Sequence, residues 1–181
     1  FNGQTLTVTN VTVTNGTSHA FDINDNMRTL NLTGIDIENH AGSDDAAIQI
    51  QGIENDRRAD VEFSDITITK NQNSEDGIDF TNNGDNIGSI TLTNVSVSEM
   101  ATGLNLNPGC TLTVDGSINL DVDSTNNSAK GILINNINDD DISISDINVS
   151  ANGGTGIEFD SSNSLTNITL DNIESNDGSG T

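Results

Sequence analysis

The sequence predicts an all-β solenoid, in which a short unit of strands is repeated and stacked along one axis. Two alternating apolar–polar runs, followed by a third run that opens on Gly or Ala, recur six times at intervals of 22 to 31 residues. Repeats of this length are typical of arrays and solenoids. Apolar residues occupy every second position within the runs, which is the period of a half-buried strand and not of a helix.

The first unit shows the pattern most simply, with paired runs at residues 6–13 and a third run at residues 20–23. The later paired runs begin at Leu30, Val61, Ile90, Leu112 and Ile142, and their third runs begin at Ala47, Gly77, Gly103, Gly131 and Gly156. A seventh unit begins at Ile168, and the chain ends at Thr181 before a third run. We therefore expect three strands per unit and one domain over residues 1–181, as a segment of a longer array or fibre.

A bend is predicted between the first two strands of each unit, because the apolar alternation slips by one residue there. The residues at this bend are Asn10, Gly34, Asp65, Asn94, Asp115 with Gly116, Asp146 and Asn172. Gly, Asn and Asp are the residue types that most readily adopt a left-handed backbone conformation. We expect these residues to stack as one corner, and the Gly before each third strand to form a similar tight turn.

The core is predicted from the same alternation. Leu, Ile and Val at the inward positions should stack from one unit to the next. All five Phe residues also fall at inward positions, so we expect them in the core and not on a binding surface. They are Phe1, Phe21, Phe63, Phe80 and Phe159.

The repeat resembles that of the pectin-lyase-like superfamily. The likeness lies in three strands per unit, an Asn or Asp bend, and a closing Gly-Ile-x-Phe strand at residues 77–80 and 156–159. It covers the chain from Leu6 to about Ile173. The resemblance implies a right-handed single-stranded parallel β-helix with three strands per coil and about seven coils. Because this fold hosts unrelated activities, it does not by itself define a function.

The charge excludes two classes of partner. The chain has 28 acidic and 5 basic residues and a net charge of −23. Such a surface repels nucleic acid phosphates and anionic membranes. No apolar run reaches the length of about 18 residues that crosses a membrane, so we expect no membrane insertion. The same charge keeps a long β structure soluble.

Carboxylates in two segments are the candidate catalytic residues. Asp76, Gly77 and Asp79 resemble part of the Asn-Thr-Asp-Gly motif of polygalacturonases in this superfamily, and Asp44 with Asp45 resembles their Asp-Asp pair. The resemblance implies that Asp44, Asp45, Asp76 and Asp79 would serve as acid and base in glycoside hydrolysis, which needs two carboxyl groups.

The chain also departs from that family. The two segments occur in reverse order, the Gly-His-Gly and Arg-Ile-Lys motifs are missing, and the chain has no Trp or Tyr to stack on sugars. These departures favour acidic strand edges without a catalytic role.

Calcium is the candidate cofactor. Asp44, Asp45, Glu75 and Asp76 could supply the several oxygen ligands that this cation prefers. Their spacing matches neither the EF-hand loop nor the Gly-Gly-x-Gly-x-Asp repeat. Weak counter-ion binding by the acidic surface is the alternative.

The favoured interpretation is a non-enzymatic solenoid segment of a microbial surface or secreted protein, such as an adhesin, stalk or fibre. Its location would be extracellular or at the cell surface. Its partners would be neighbouring β-helix segments or subunits stacked end to end, with surface glycans or cell receptors as ligands. A polysaccharide-degrading enzyme fragment, similar to polygalacturonases or pectate lyases, is one alternative. A self-assembling filament subunit is another.

Overall fold

The computed structural model describes residues 4–24, 27–40, 46–51, 59–70, 76–81, 87–107, 112–114, 118–121, 129–134, 141–150, 154–160 and 167–176. These segments form β-strands, as the alternation predicts, and none of them forms a helix. Among these residues there is accordingly no helix that could cross a membrane.

The strands alternate between long and short. They are β1 (Gln4–Thr14), β2 (Phe21–Asn24), β3 (Met27–His40), β4 (Ile48–Gln51), β5 (Ala59–Lys70), β6 (Asp76–Thr81), β7 (Ile87–Ser98), β8 (Thr102–Asn107), β9 (Leu112–Val114), β10 (Ile118–Asp121), β11 (Lys130–Ile134), β12 (Asp141–Ser150), β13 (Thr155–Phe159) and β14 (Asn167–Asn176). Each long strand, of 10 to 14 residues, contains both the first and the second predicted strand of a unit. In the fifth unit the two short strands β9 and β10 take the place of one long strand.

Two parallel sheets run through the described residues. The larger sheet has the order β1-β3-β5-β7-β10-β12-β14, with β9 beside β12, and the smaller has the order β13-β11-β8-β6-β4-β2. Because both orders follow the chain, each successive unit stacks on the one before it. The predicted all-β parallel solenoid is therefore confirmed. Its right-handed sense and the number of seven coils stay predictions.

The predicted bend is a single left-handed residue inside a continuous long strand, and we call this position the first corner. The five residues for which the angle is established have φ between 52° and 65°; they are Asn10, Gly34, Asp65, Asn94 and Asn172. The residues before and after the corner pair in one register, as Thr9 does with Thr33 and Val11 with Ile35. The corners therefore stack on one another.

Residues of the first corner lie close to their equivalents in the adjacent units. Asn94 Nδ2 donates to Asp65 Oδ1 at 3.0 Å, and a Cβ on Gly34 would lie 2.7 Å from Asn10 Oδ1. Register places Asp146 level with Asn172, since the residues on either side of each are paired. Asp115 and Gly116 lie outside the described residues.

A second left-handed corner, which was not expected from the sequence, lies at or just after the end of the long strands. Its residues Asn15, Asn39 and Glu99 have φ of 58°, 52° and 62°. Two of them also bond to the next unit: Asn15 N–H donates to the Glu38 carbonyl at 3.0 Å, and Glu99 N–H donates to that of Asp121 at 2.7 Å. The apolar alternation stops at this point, so no slip in the pattern marks the second corner.

The inward columns are buried as predicted. Leu30, Val61 and Ile90 stack in register and are fully buried. Phe63 and Phe80, from different sheets, are buried with their ring centroids 5.9 Å apart. Phe21 and Phe159 pack against this core, so the prediction holds for these four, while Phe1 lies outside the described residues.

The glycines predicted to form a turn before the third strands lie inside those strands, as the second residue of β6, β8 and β11. Gly77, Gly103 and Gly131 do not have left-handed φ. Instead, a Cβ on Gly103 would lie 2.7 Å from the Gly131 carbonyl oxygen, and a Cβ on Gly77 would lie at the same distance from that of Gly103. The column requires glycine because adjacent backbones approach closely.

Glu99→Asn should stabilise the protein. A left-handed conformation costs an ordinary residue about 1–2 kcal/mol, and Asn bears less of this cost. We expect the free energy of unfolding in urea to rise by about 1 kcal/mol. Asn39→Glu is the reciprocal control and should lower it by a similar amount. An unchanged or lower stability of the Glu99→Asn variant would show that the corner does not strain Glu99.

Candidate functional site

The outward face of the smaller sheet, which we call the third-strand face, carries two of the candidate carboxylates. Asp76 and Asp79 both lie in β6. Ile78 and Phe80 on either side of Asp79 belong to the core, so Asp79 has the outward position of the strand. Its side chain is nevertheless only 7% exposed. Register places it between Gln49 of β4 and Asn105 of β8.

Each carboxylate accepts a hydrogen bond from an amide on a neighbouring strand. Gln49 Nε2 donates to Asp79 Oδ2 at 3.4 Å, and Asn105 Nδ2 donates to Asp76 Oδ2 at 2.9 Å. Asn105 thus donates to Asp76 and lies opposite Asp79 in the strand register. The bond from Asn105 has the usual length of an N–H···O hydrogen bond, whereas the bond from Gln49 is long.

Gln49 and Asn105 are not among the residues that the sequence pattern predicts for this site. Alignment of the third runs would have placed Asp22, Gln49, Asp79 and Asn105 at one position of the repeat. Alternation of amide and acid along that column is the signal that could have revealed them.

The remaining candidate residues Asp44, Asp45 and Glu75 lie outside the described residues. Their proximity to Asp76, and with it the catalytic and calcium hypotheses, stays a prediction. Within the described segments, His, Cys, Asp and Glu form no group of three or more that could hold a metal ion.

His19 belongs to the first unit and contacts the backbone just before β4, the third strand of the second unit. Its Nδ1 is 2.8 Å from the Ala46 carbonyl oxygen, to which a protonated Nδ1 would donate. Ala47 N–H in turn donates to the Asp76 carbonyl at 2.9 Å. Backbone bonds therefore connect the start of successive third strands.

An ion pair lies further along the third-strand face. Lys130 Nζ is 2.9 Å from Glu158 Oε1, and the two side chains are 28% and 37% exposed. Solvent screens such a pair, so its contribution to stability is small.

The acids are dispersed on the outer faces of both sheets. Asp36 lies between Thr12 and Thr67 in register, and Glu62 lies between Asn31 and Thr91. In no strand pair of the described residues does one acid lie opposite another. Like charges placed directly opposite destabilise a sheet. The arrangement therefore limits repulsion between adjacent strands in the part of the chain that the structure describes.

Comparison of the chain with models of known protein families, with curated proteins and with solved structures gives no match. The site is therefore defined by its own geometry: two carboxylates, one buried and one half-buried, each bonded to an amide across the sheet. This arrangement can orient a carboxylate and can equally serve as a polar ladder that joins strands.

Thr67→Asp tests the dispersal of charge, because it places a carboxylate opposite Asp36. Repulsion between the two carboxylates should lower the free energy of unfolding by about 0.2–1 kcal/mol beyond the effect of the Thr67→Asp substitution itself. The same substitution in an Asp36→Asn background is the matched control and should lack this extra cost. The difference, measured by urea unfolding, should shrink in high salt, where exposed charges are screened. Equal costs in both backgrounds would refute the argument.

Proposed function

We propose that this chain is a structural segment of an extracellular or cell-surface β-helix of the pectin-lyase-like type, with no catalytic activity. The observation that carries the proposal is the parallel pairing of the larger sheet, in which strands of successive units lie side by side from β1 to β14 around an apolar core. Each added coil lengthens such a stack by about 4.8 Å, the spacing between strands. A stack of this kind suits a stalk, a fibre or the shaft of an adhesin.

The outer faces support the same proposal. Thr, Ser, Asn and Gln lie opposite most of the acids in the described strand pairs, so these faces are polar and charged without acids directly opposite one another. The hydroxyl and amide groups can form hydrogen bonds with surface glycans or with receptors. These are the ligands that we propose for an adhesive role.

An enzymatic role is the alternative for the third-strand face, with Asp76 and Asp79 as acid and base. Their bonds to Asn105 and Gln49 favour a ladder between strands. We expect no depolymerisation of pectin-like or other uronate polymers by the purified chain, measured as new reducing ends or unsaturated products. Turnover that is lost in both Asp76→Asn and Asp79→Asn would overturn the structural proposal. Asp22→Asn is the matched control, because Asp22 occupies the column of Asp79 one unit before Gln49.

A filament subunit is the second candidate function, favoured by the two end strands of the larger sheet. Leu6 of β1 is 37% exposed, and Ile168 and Leu170 of β14 are 46% and 47% exposed. β1 has no charged residue, so it lacks the charges that commonly protect sheet edges from pairing. Another solenoid segment or a second subunit could add its strands at these edges.

If subunits stack end to end, fibres should lengthen with protein concentration in electron micrographs. Leu170→Asp should abolish them, because it places a charge in an inward apolar column. Thr169→Asp adds the same charge on the outward side of the strand and is the control. A strict monomer at high concentration would exclude the filament and leave the structural segment intact.

A further inference from the structure

The second corner contains a residue pair with a distinct chemistry. Asn15 is exposed, has φ of 58° and is followed by Gly16. Asn39 holds the same corner in the next unit, with φ of 52°, and is followed by His40. Asn15 and Asn39 therefore share a backbone conformation and differ in the residue that follows them.

We propose that Asn15 is a site of spontaneous deamidation in the folded protein. The backbone nitrogen of Gly16 attacks Cγ of Asn15 and a C–N bond forms, which closes a five-membered imide. The side-chain nitrogen leaves as ammonia and takes the proton lost by the Gly16 N–H. Water then opens either C–N bond of the imide, so position 15 becomes an aspartyl or isoaspartyl residue. No oxidant or cofactor is required.

Gly16 and the exposure of Asn15 favour this reaction. Glycine has no Cβ, so it neither obstructs the attack nor restricts the backbone rotation that the attack requires. Asn15 is exposed and lies between β1 and β2, so water can reach the imide.

The first corner provides internal controls. Asn10, Asn94 and Asn172 are also exposed and left-handed, with φ between 52° and 55°. Each is followed by a β-branched residue, which belongs to an inward column of the core. Branching at Cβ crowds the backbone nitrogen that would attack. The packing of the core therefore protects these asparagines, whereas Gly16 has no side chain that crowds its nitrogen.

The conversion would alter the first coil in two ways. It adds a negative charge to the corner, and the isoaspartyl product also lengthens the main chain by one methylene group. The lengthened chain cannot keep the left-handed turn in place, so the bond from the position-15 N–H to the Glu38 carbonyl should be lost. The first coil would loosen with age while the coils beyond it stay folded.

The test is incubation of the folded chain at mildly alkaline pH, followed by peptide mass spectrometry. We expect loss of the amide at Asn15 while Asn39, Asn10 and Asn94 keep theirs, and loss of hydrogen-exchange protection confined to β1. Gly16→Val should preserve the Asn15 amide. Three further Asn-Gly pairs, at positions 2–3, 83–84 and 152–153, lie outside the described residues and would be resolved on separate peptides.

The same chain unfolded in urea shows whether the Asn15–Gly16 pair reacts when nothing restrains it. If Asn15 reacts in urea but, in the folded chain, reacts no faster than Asn39 and Asn94, the left-handed corner protects it and the proposal is wrong. This comparison uses only the native sequence, so it stays decisive if the Gly16→Val variant fails to fold.

Discussion

Register is the constraint on which the rest of the structure depends. In a parallel stack each residue lies beside its equivalent in the units before and after, so one choice of residue type is repeated along a whole column. Apolar columns fill the core, a left-handed residue repeats at the first corner, and a glycine column permits the backbones to approach closely. A unit that broke one column would disturb its neighbours on both sides.

The same constraint governs the charge. In an acidic solenoid, identical units would place carboxylates opposite one another along the whole stack, and the repulsion would add up. This chain instead has acids in some units and Thr, Ser, Asn or Gln at the equivalent positions of adjacent ones, as Asp36 shows between Thr12 and Thr67. The outer surface is thus less repetitive than the core for an electrostatic reason. Neutral neighbours also provide the amides that bond Asp76 and Asp79.

The sequence alone predicts the features that follow from the alternation of apolar and polar residues. It identified the strands, the inward columns and the first corner, because a one-residue slip in the pattern locates Asn10, Asp65 and Asn94. The second corner lies where alternation stops, and the glycine before each third strand looks the same whether a turn or close packing requires it. The contacts of Asp79 and Asp76 depend on the third-strand register, which becomes visible only when Gln49 and Asn105 are aligned with them.

The segment between the second corner and the third strand is the part of each unit that register constrains least. It spans only three residues between Ser98 and Thr102 and seven between His40 and Ile48. In the sequence Asp44, Asp45 and Glu75 fall in such segments, Asn15 is the corner residue that precedes one, and Asp76 begins the strand after one. Because these segments differ in length, a residue in them is less bound to an equivalent in the adjacent units than a residue of an alternating column. Any chemistry that distinguishes one unit from another, whether ligand binding or covalent modification, is therefore expected in these segments.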